Sequence, residues 1–157
     1  MTPQDVVTLR EIEHLKYRYL RALDLKQWDD FAAVFEPDAT GDYGAGLRFA
    51  GADQIVGFMR DSLGSDIITV HQVHQPEIRV TGSTATGVWS LMDRVIATGH
   101  GILIEGAAVY RDEYRRGDDG QWRIAHTGYE RIYESTMSLA DWPSWKLSAN
   151  RFAARPA

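Results

Sequence analysis

The sequence predicts an α+β fold in which N-terminal helices pack on a strongly curved antiparallel or mixed sheet. Two observations carry that expectation. Up to about residue 64 apolar side chains recur at helical spacing, and from Ile67 onward the period changes to two. The later segments are also separated by short, well-marked turns, so helices come first and an antiparallel meander follows.

The opening element is built around Leu15 to Asp24, LKYRYLRALD. Ile12, Leu15, Tyr19 and Leu23 follow the spacing of a buried helix face, while Arg10, Glu13, Lys16, Arg18 and Arg21 are expected on the wet side. Asp24 is five positions from Tyr19, about 140° of rotation, so Tyr17, Leu20 and Asp24 line up better on simple helical geometry. Trp28 to Phe35 reads as a short second helix stopped before Pro37. Asp38 to Tyr43 then begins a strand. Gly44, Gly46 and Gly51 punctuate a loop before a third helix, for which Asp53 is the expected cap and which ends near Gly64.

Four long strands follow: Ile67 to Val80, Ala85 to Ala97, Ile102 to Arg115 and Trp122 to Tyr133. Their turns are Thr81-Gly82-Ser83, Gly99-His100-Gly101 and Gly117-Asp118-Asp119-Gly120. One twisted sheet of this length, covered on its concave side by the helices, makes a cone whose mouth is a natural pocket. The whole chain, 1–157, is expected to be one domain, with a core of 1–137 and a tail of 138–157. The tail carries Trp142, Pro143, Trp145 and Phe152 without clear periodicity, and is expected over the pocket, over a subunit neighbour or loosely packed.

Bulk properties remove several classes. The net charge of −5 comes without a basic run, which argues against nucleic acid and an anionic membrane as partners. With no cysteine there is no disulfide framework, thiolate nucleophile or cysteine-ligated zinc. No signal-peptide core or membrane span is visible, so a cytoplasmic location is expected. There is no H-E-x-x-H, G-x-S-x-G or phosphate loop. Neither a metal nor a cofactor is expected.

What remains is a set of polar residues on apolar faces. In the second long strand Trp89, Leu91, Asp93, Val95 and Ala97 share one face, so Asp93 must be paired, hydrogen-bonded or protonated. Arg131 and Arg94 are its candidate ion-pair partners. His71 and His74 are three apart in one strand and project to opposite faces unless a bulge intervenes, so at most one enters the pocket. A Tyr, a His, two Asp and an Arg near an apolar cavity are the parts for acid and base work without a cofactor.

In order and spacing, three groups of residues resemble a known family. They are Leu15-Lys16-x-Arg18-Tyr19-x-Arg21-x-Leu23-Asp24, His71-x-x-His74-x-Pro76-Glu77-Ile78 and Ala85-Thr86-Gly87-x-Trp89-x-x-x-Asp93-Arg94. Gly120-Gln121-Trp122, Thr127-Gly128-Tyr129 and Arg131-Ile132-Tyr133-Glu134 extend the likeness, which covers roughly residues 10 to 134. The family is the SnoaL-like, scytalone dehydratase-like branch of the nuclear transport factor 2-like superfamily, with the nearest resemblance to the bile acid 7α-dehydratases. The resemblance implies a cone-shaped fold, a homodimer or homotrimer, and functional positions at Tyr19, Asp24, His71, Asp93 and Arg131. It favours Tyr19 over Tyr17. The tail after Met137 and the loop from Thr98 to Ile104 depart from the pattern.

The expected activity is that of a cofactor-independent dehydratase, or a related isomerase, acting on a hydrophobic, steroid-like or polycyclic hydroxy-ketone. His71 would be the base and Asp24 would fix its tautomer, while Tyr19 would donate a proton or hydrogen bond. Asp93 and Arg131 would orient the dyad or meet a polar substrate group, unless Asp93 is itself a protonated acid. Two other readings use the same fold: a binder of small hydrophobic ligands, and an accessory module like the β subunits of ring-hydroxylating dioxygenases.

Overall fold

The computed structural model describes residues 2–153. Helix α1 spans Pro3–Asp24. Its start is fixed by a capping box, in which Thr2 Oγ1 accepts from the Asp5 N–H at 3.2 Å and the Thr2 N–H donates to the Asp5 carboxylate at 2.6 Å. Helix α2 is only Trp28–Ala32, shorter than the expected run to Phe35. The chain leaves the helix because Val34 and Phe35 pair with the last strand: the Ile124 N–H donates to the Val34 carbonyl at 2.9 Å. Strand β1 is therefore Phe35–Asp42, starting earlier than expected, and Pro37 falls where its register with the last strand shifts.

A three-residue strand β2, Arg48–Ala50, returns antiparallel to β1 and was not anticipated. Helix α3 is Ala52–Ser62. Its N-cap is Gly51, at φ 103°, and no side chain caps it. Asp53 lies inside the first turn, where its charge suits the positive end of the helix rather than acting as the expected cap.

The four long strands lie at the expected places, as β3 Ile67–Thr81, β4 Thr84–Ala97, β5 Ile102–Arg116 and β6 Trp122–Ser138, the last running on past the expected end at Tyr133. The six-stranded sheet runs β2-β1-β6-β5-β4-β3, with only β1 and β6 parallel. Bulges on β3 between His74 and Glu77, and between β5 and β6, increase its twist. Helix α1 lays Ile12, Leu15, Tyr19, Leu20 and Leu23 on the concave side, in one core with Trp89, Leu91, Ala108, Tyr110 and Tyr114. Among the described residues no helix is long and apolar enough to cross a membrane.

Lys16 departs from expectation most sharply. Placed on the wet side by periodicity, it is fully buried, with Nζ 2.7 Å from Asp112 Oδ2 on β5 and 3.4 Å from the centre of the Tyr110 ring. In the tail, the Asn150 side chain donates to the Ser65 carbonyl at 3.1 Å, and the Phe152 ring lies 4.6 Å from the Lys26 ammonium. Both contacts are near the C-terminal end of α1 and the start of β3.

Four phenols in this core, Tyr19, Tyr43, Tyr110 and Tyr114, are held protonated well above the usual tyrosine range, chiefly by burial. A raised folded-state value means their contribution is fully present below about pH 10 and is lost as pH climbs above it, because the unfolded chain ionises first. In an absorbance titration at tyrosinate wavelengths, these four are expected to ionise only together with loss of the folded circular-dichroism signal. A folded chain in which all 7 tyrosines titrate near pH 10 would contradict the burial described.

Candidate functional site

The last residue of α1 meets the edge strand of the sheet. Strand β3 ends the strand order, so backbone groups on its outer side have no strand partner. Asp24 supplies one: its Oδ2 accepts the His71 backbone N–H at 2.8 Å. Its Oδ1 accepts the Thr69 hydroxyl at 2.8 Å and lies 2.6 Å from His71 Nδ1. Three donors on one carboxylate leave it little freedom to rotate.

A carboxylate that receives Nδ1–H fixes the neutral imidazole as the tautomer with a bare Nε2. The His71 and Asp24 side chains are 13% and 17% exposed, so the pair is shielded yet reachable. His74 is exposed, and the β3 bulge begins only after it. The two histidines therefore face opposite sides, and His71 takes the concave one.

Opposite His71 in the β3–β4 ladder is Asp93, and opposite Asp93 in the β4–β5 ladder is Gly106. Arg131, on β6, reaches over Gly106 to Asp93. Its Nη1 and Nη2 lie 2.5 and 2.9 Å from the two carboxylate oxygens, a two-point pairing. Glu134 adds a contact of 3.2 Å to Nε. The Asp93 carboxylate pushes the guanidinium pKa further up, and the two-point geometry is that of a charged pair. Asp93 is thus an ion-pair partner rather than a protonated acid. Arg94, its other candidate partner, pairs instead with Glu105.

Dyad and ion pair accordingly share one face of four strands, with His71, Asp93 and Gly106 in one row and Arg131, opposite Ala108 in the β5–β6 ladder, reaching back to it. Tyr19 does not join it. Its ring is fully buried, and its hydroxyl lies 3.1 Å from that of Tyr43. Tyr17 packs edge-on against Trp89, with ring centres 6.2 Å apart.

A cleft of about 730 Å³ adjoins the Arg131 end of the row, walled in part by Tyr43, Leu47, Val109, Tyr129 and Arg131. Its size suits a small organic molecule. Asp24, His71 and Asp93 are not in its wall; Asp93, opposite His71 in the ladder, meets it through Arg131. Sequence reasoning missed Tyr43 and Tyr129 as site residues. The signals were a tyrosine just before the glycine loop, and one two residues before Arg131 in step with it. Burial raises the Tyr129 pKa, and the Arg131 guanidinium, whose central carbon is 5.0 Å from its ring centre, opposes that.

Gly106 is what permits the row. A Cβ there would stand 2.5 Å from Arg131 Nη1 and 3.0 Å from the Tyr133 carbonyl. Gly106→Ala is expected to cost about 1–3 kcal/mol in urea unfolding, and measurably less when Arg131 is already Ala. An equal cost in both backgrounds would mean that the guanidinium does not cross there.

Residues 4–128 match the family of SnoaL-like domains. An uncharacterized protein of Mycobacterium tuberculosis is 30% identical over 132 residues, covering 81% of this chain and 87% of that one. Among solved structures, a hexachlorocyclohexane dehydrochlorinase, LinA type 2, superposes with a TM-score of 0.78 at 19% identity, covering 85% of this chain and 91% of that one. A scytalone dehydratase-like protein of Novosphingobium aromaticivorans superposes with a TM-score of 0.77 at 19% identity over 100% of both chains. At that identity the two structures establish the fold, while the domain match over most of the chain establishes the family. The chain belongs to the family of SnoaL-like domains.

Proposed function

We propose that this protein is a cofactor-independent lyase of the dehydratase type, or a related isomerase, whose base is His71. The observation that carries the reading is the 2.6 Å contact between His71 Nδ1 and an Asp24 carboxylate already held by two other donors. Such a carboxylate orients the ring and stabilises the imidazolium formed when Nε2 takes a proton. Similarity to a dehydrochlorinase and a scytalone dehydratase-like protein supports elimination chemistry.

In this mechanism His71 removes a proton beside a carbonyl or its vinylogue, the electron pair passes to the carbonyl oxygen, and as the enolate collapses to the new C=C bond the hydroxyl takes the proton back from the imidazolium and departs as water. Arg131, three strands away across the sheet and in the cleft wall, supplies fixed positive charge for the oxygen that gains electron density. Its neutralising pair with Asp93 tempers that charge and fixes its direction. Tyr43 contributes to the cleft wall, with its hydroxyl turned to the buried Tyr19 hydroxyl. The apolar side chains Leu47 and Val109 and the aromatic rings favour a hydrophobic hydroxy-ketone, and the motif likeness to bile acid dehydratases favours a steroid-like one. Val70, Met92 and Tyr133, exposed on the convex side of the sheet, support the expected homodimer or homotrimer.

A ligand binder would use the same cleft without altering its ligand. Incubation in heavy water with hydroxylated 3-oxo-4-ene steroids and smaller hydroxy-ketones, read by mass spectrometry, separates the two. Loss of water, or deuterium incorporation without it, is expected, and His71→Ala is expected to lower the rate by about 10²- to 10⁴-fold with folding intact. A loss below about tenfold would remove His71 as the base. Binding without turnover anywhere in the panel would favour the binder.

A further inference from the structure

The buried pair between Lys16 and Asp112 has no part in that chemistry, yet the core makes costly provision for it. Both side chains are fully buried. Asp112 also accepts the Tyr114 hydroxyl at 2.8 Å and the Thr127 hydroxyl at 2.8 Å, and the Trp89 indole N–H donates to the Tyr114 hydroxyl at 2.9 Å. Opposite Asp112 in the ladder is Gly87, where a Cβ would stand 2.9 Å from the Trp89 indole nitrogen and 3.0 Å from the Tyr114 ring. The Lys16 ammonium lies off the line of a well-formed hydrogen bond to Asp112, and its other protons face the rings of Tyr110 and Tyr19, at 3.4 and 4.6 Å. Residues from α1, β4, β5 and β6 thus converge on one ion pair.

Replacing such a pair with apolar side chains of similar volume is often neutral or stabilising, so stability alone does not account for it. Register does. The rest of the α1 face is Ile12, Leu15, Leu20 and Leu23, packing that accepts small slides and rotations. An ammonium with a single buried carboxylate accepts one position.

We infer that Lys16 and Asp112 are positioning residues that set the place and direction of α1, and through it deliver Asp24 to His71. Asp24 lies eight residues beyond Lys16, about 12 Å along the axis. The strands that the two residues grip, β5 and β3, are two strand spacings apart, about 10 Å. One grip fixes a point on α1; two fix its slide and its crossing angle. The inference rests on reading Asp24 and His71 as the reacting pair, but its test needs no substrate.

The test compares wild type with Lys16→Met/Asp112→Asn, which removes both charges while keeping volume; the Asn oxygen still accepts from one of the Tyr114 and Thr127 hydroxyls and its amide donates to the other. The readouts are the exchange rate of the His71 amide, whose acceptor is Asp24, and the low-field proton resonance of His71 Nδ1–H. In the double variant the melting temperature is expected to stay within a few degrees of wild type. The His71 amide is expected to exchange at least tenfold faster while amides of β4 and β5 keep their rates, and the Nδ1–H resonance is expected to move upfield or vanish. Lys16→Gln/Asp112→Asn, which puts a neutral hydrogen bond in place of the ion pair and leaves no buried charge unpaired, is the milder variant, retained in case the first double fails to fold, with a smaller change in the same direction. Unchanged His71 signals in either folded variant would overturn the inference. A failure of the enzyme reading would show instead as no turnover with these signals still coupled.

Discussion

The carboxylate of Asp24 is the join on which the site depends. It ends α1, and a helix C-terminus is the electrostatically unfavourable end for a negative charge, at about 0.3–1 kcal/mol. Three donors from β3 offset that cost, and the Lys26 ammonium, which itself donates to the Ile67 carbonyl at 2.9 Å, adds a nearby positive charge. A residue that opposes its local preference and is then fully satisfied by a distant strand marks a place where fold and function meet. It also closes a gap at the sheet edge, since the His71 amide would otherwise face solvent.

From that join the geometry follows by strand pairing alone. Side chains on one face of neighbouring strands line up across the ladders, so fixing His71 fixes the places of Asp93 and Gly106. Only a long, forked side chain spans from β6 to β4, and only a glycine beneath lets it lie flat. The bulge between β5 and β6 beside Ala107 and Ala108 sets Arg131 opposite Ala108, on the same face as that row. Charge at the Arg131 end and a shielded base at the His71 end thus stand on one rigid sheet, which suits a reaction that needs both at fixed separation.

Much of this was legible in the sequence because alternation and turns are local signals. The four long strands needed nothing but period and glycine punctuation, and parity alone put Asp93 inside and set His71 and His74 on opposite faces. The failures share a cause, which is long-range pairing. Phe35 left its helix for a strand because Ile124 was waiting, and β2 is too short to carry a pattern of its own. Lys16 looked wet because its partners Asp112 and Tyr110 lie on a strand no helical wheel can see. The resemblance pointed to Tyr19, and the structure sets it beneath Tyr43 in the core, one hydrogen bond removed from the cleft. Asp93 offered two ion-pair partners by sequence; Arg94 falls on the opposite face of β4 and pairs with Glu105, and Arg131 reaches Asp93 across β5.

The central claim is that Asp24 holds His71 as a neutral base with Nε2 bare. Nitrogen-15 chemical shifts of the His71 ring, followed through a pH titration of the folded protein, read the tautomer directly. The structure predicts the Nδ1–H form once the ring is neutral, with that preference lost in Asp24→Ala. A neutral His71 carrying its proton on Nε2 in the wild-type chain would contradict the account.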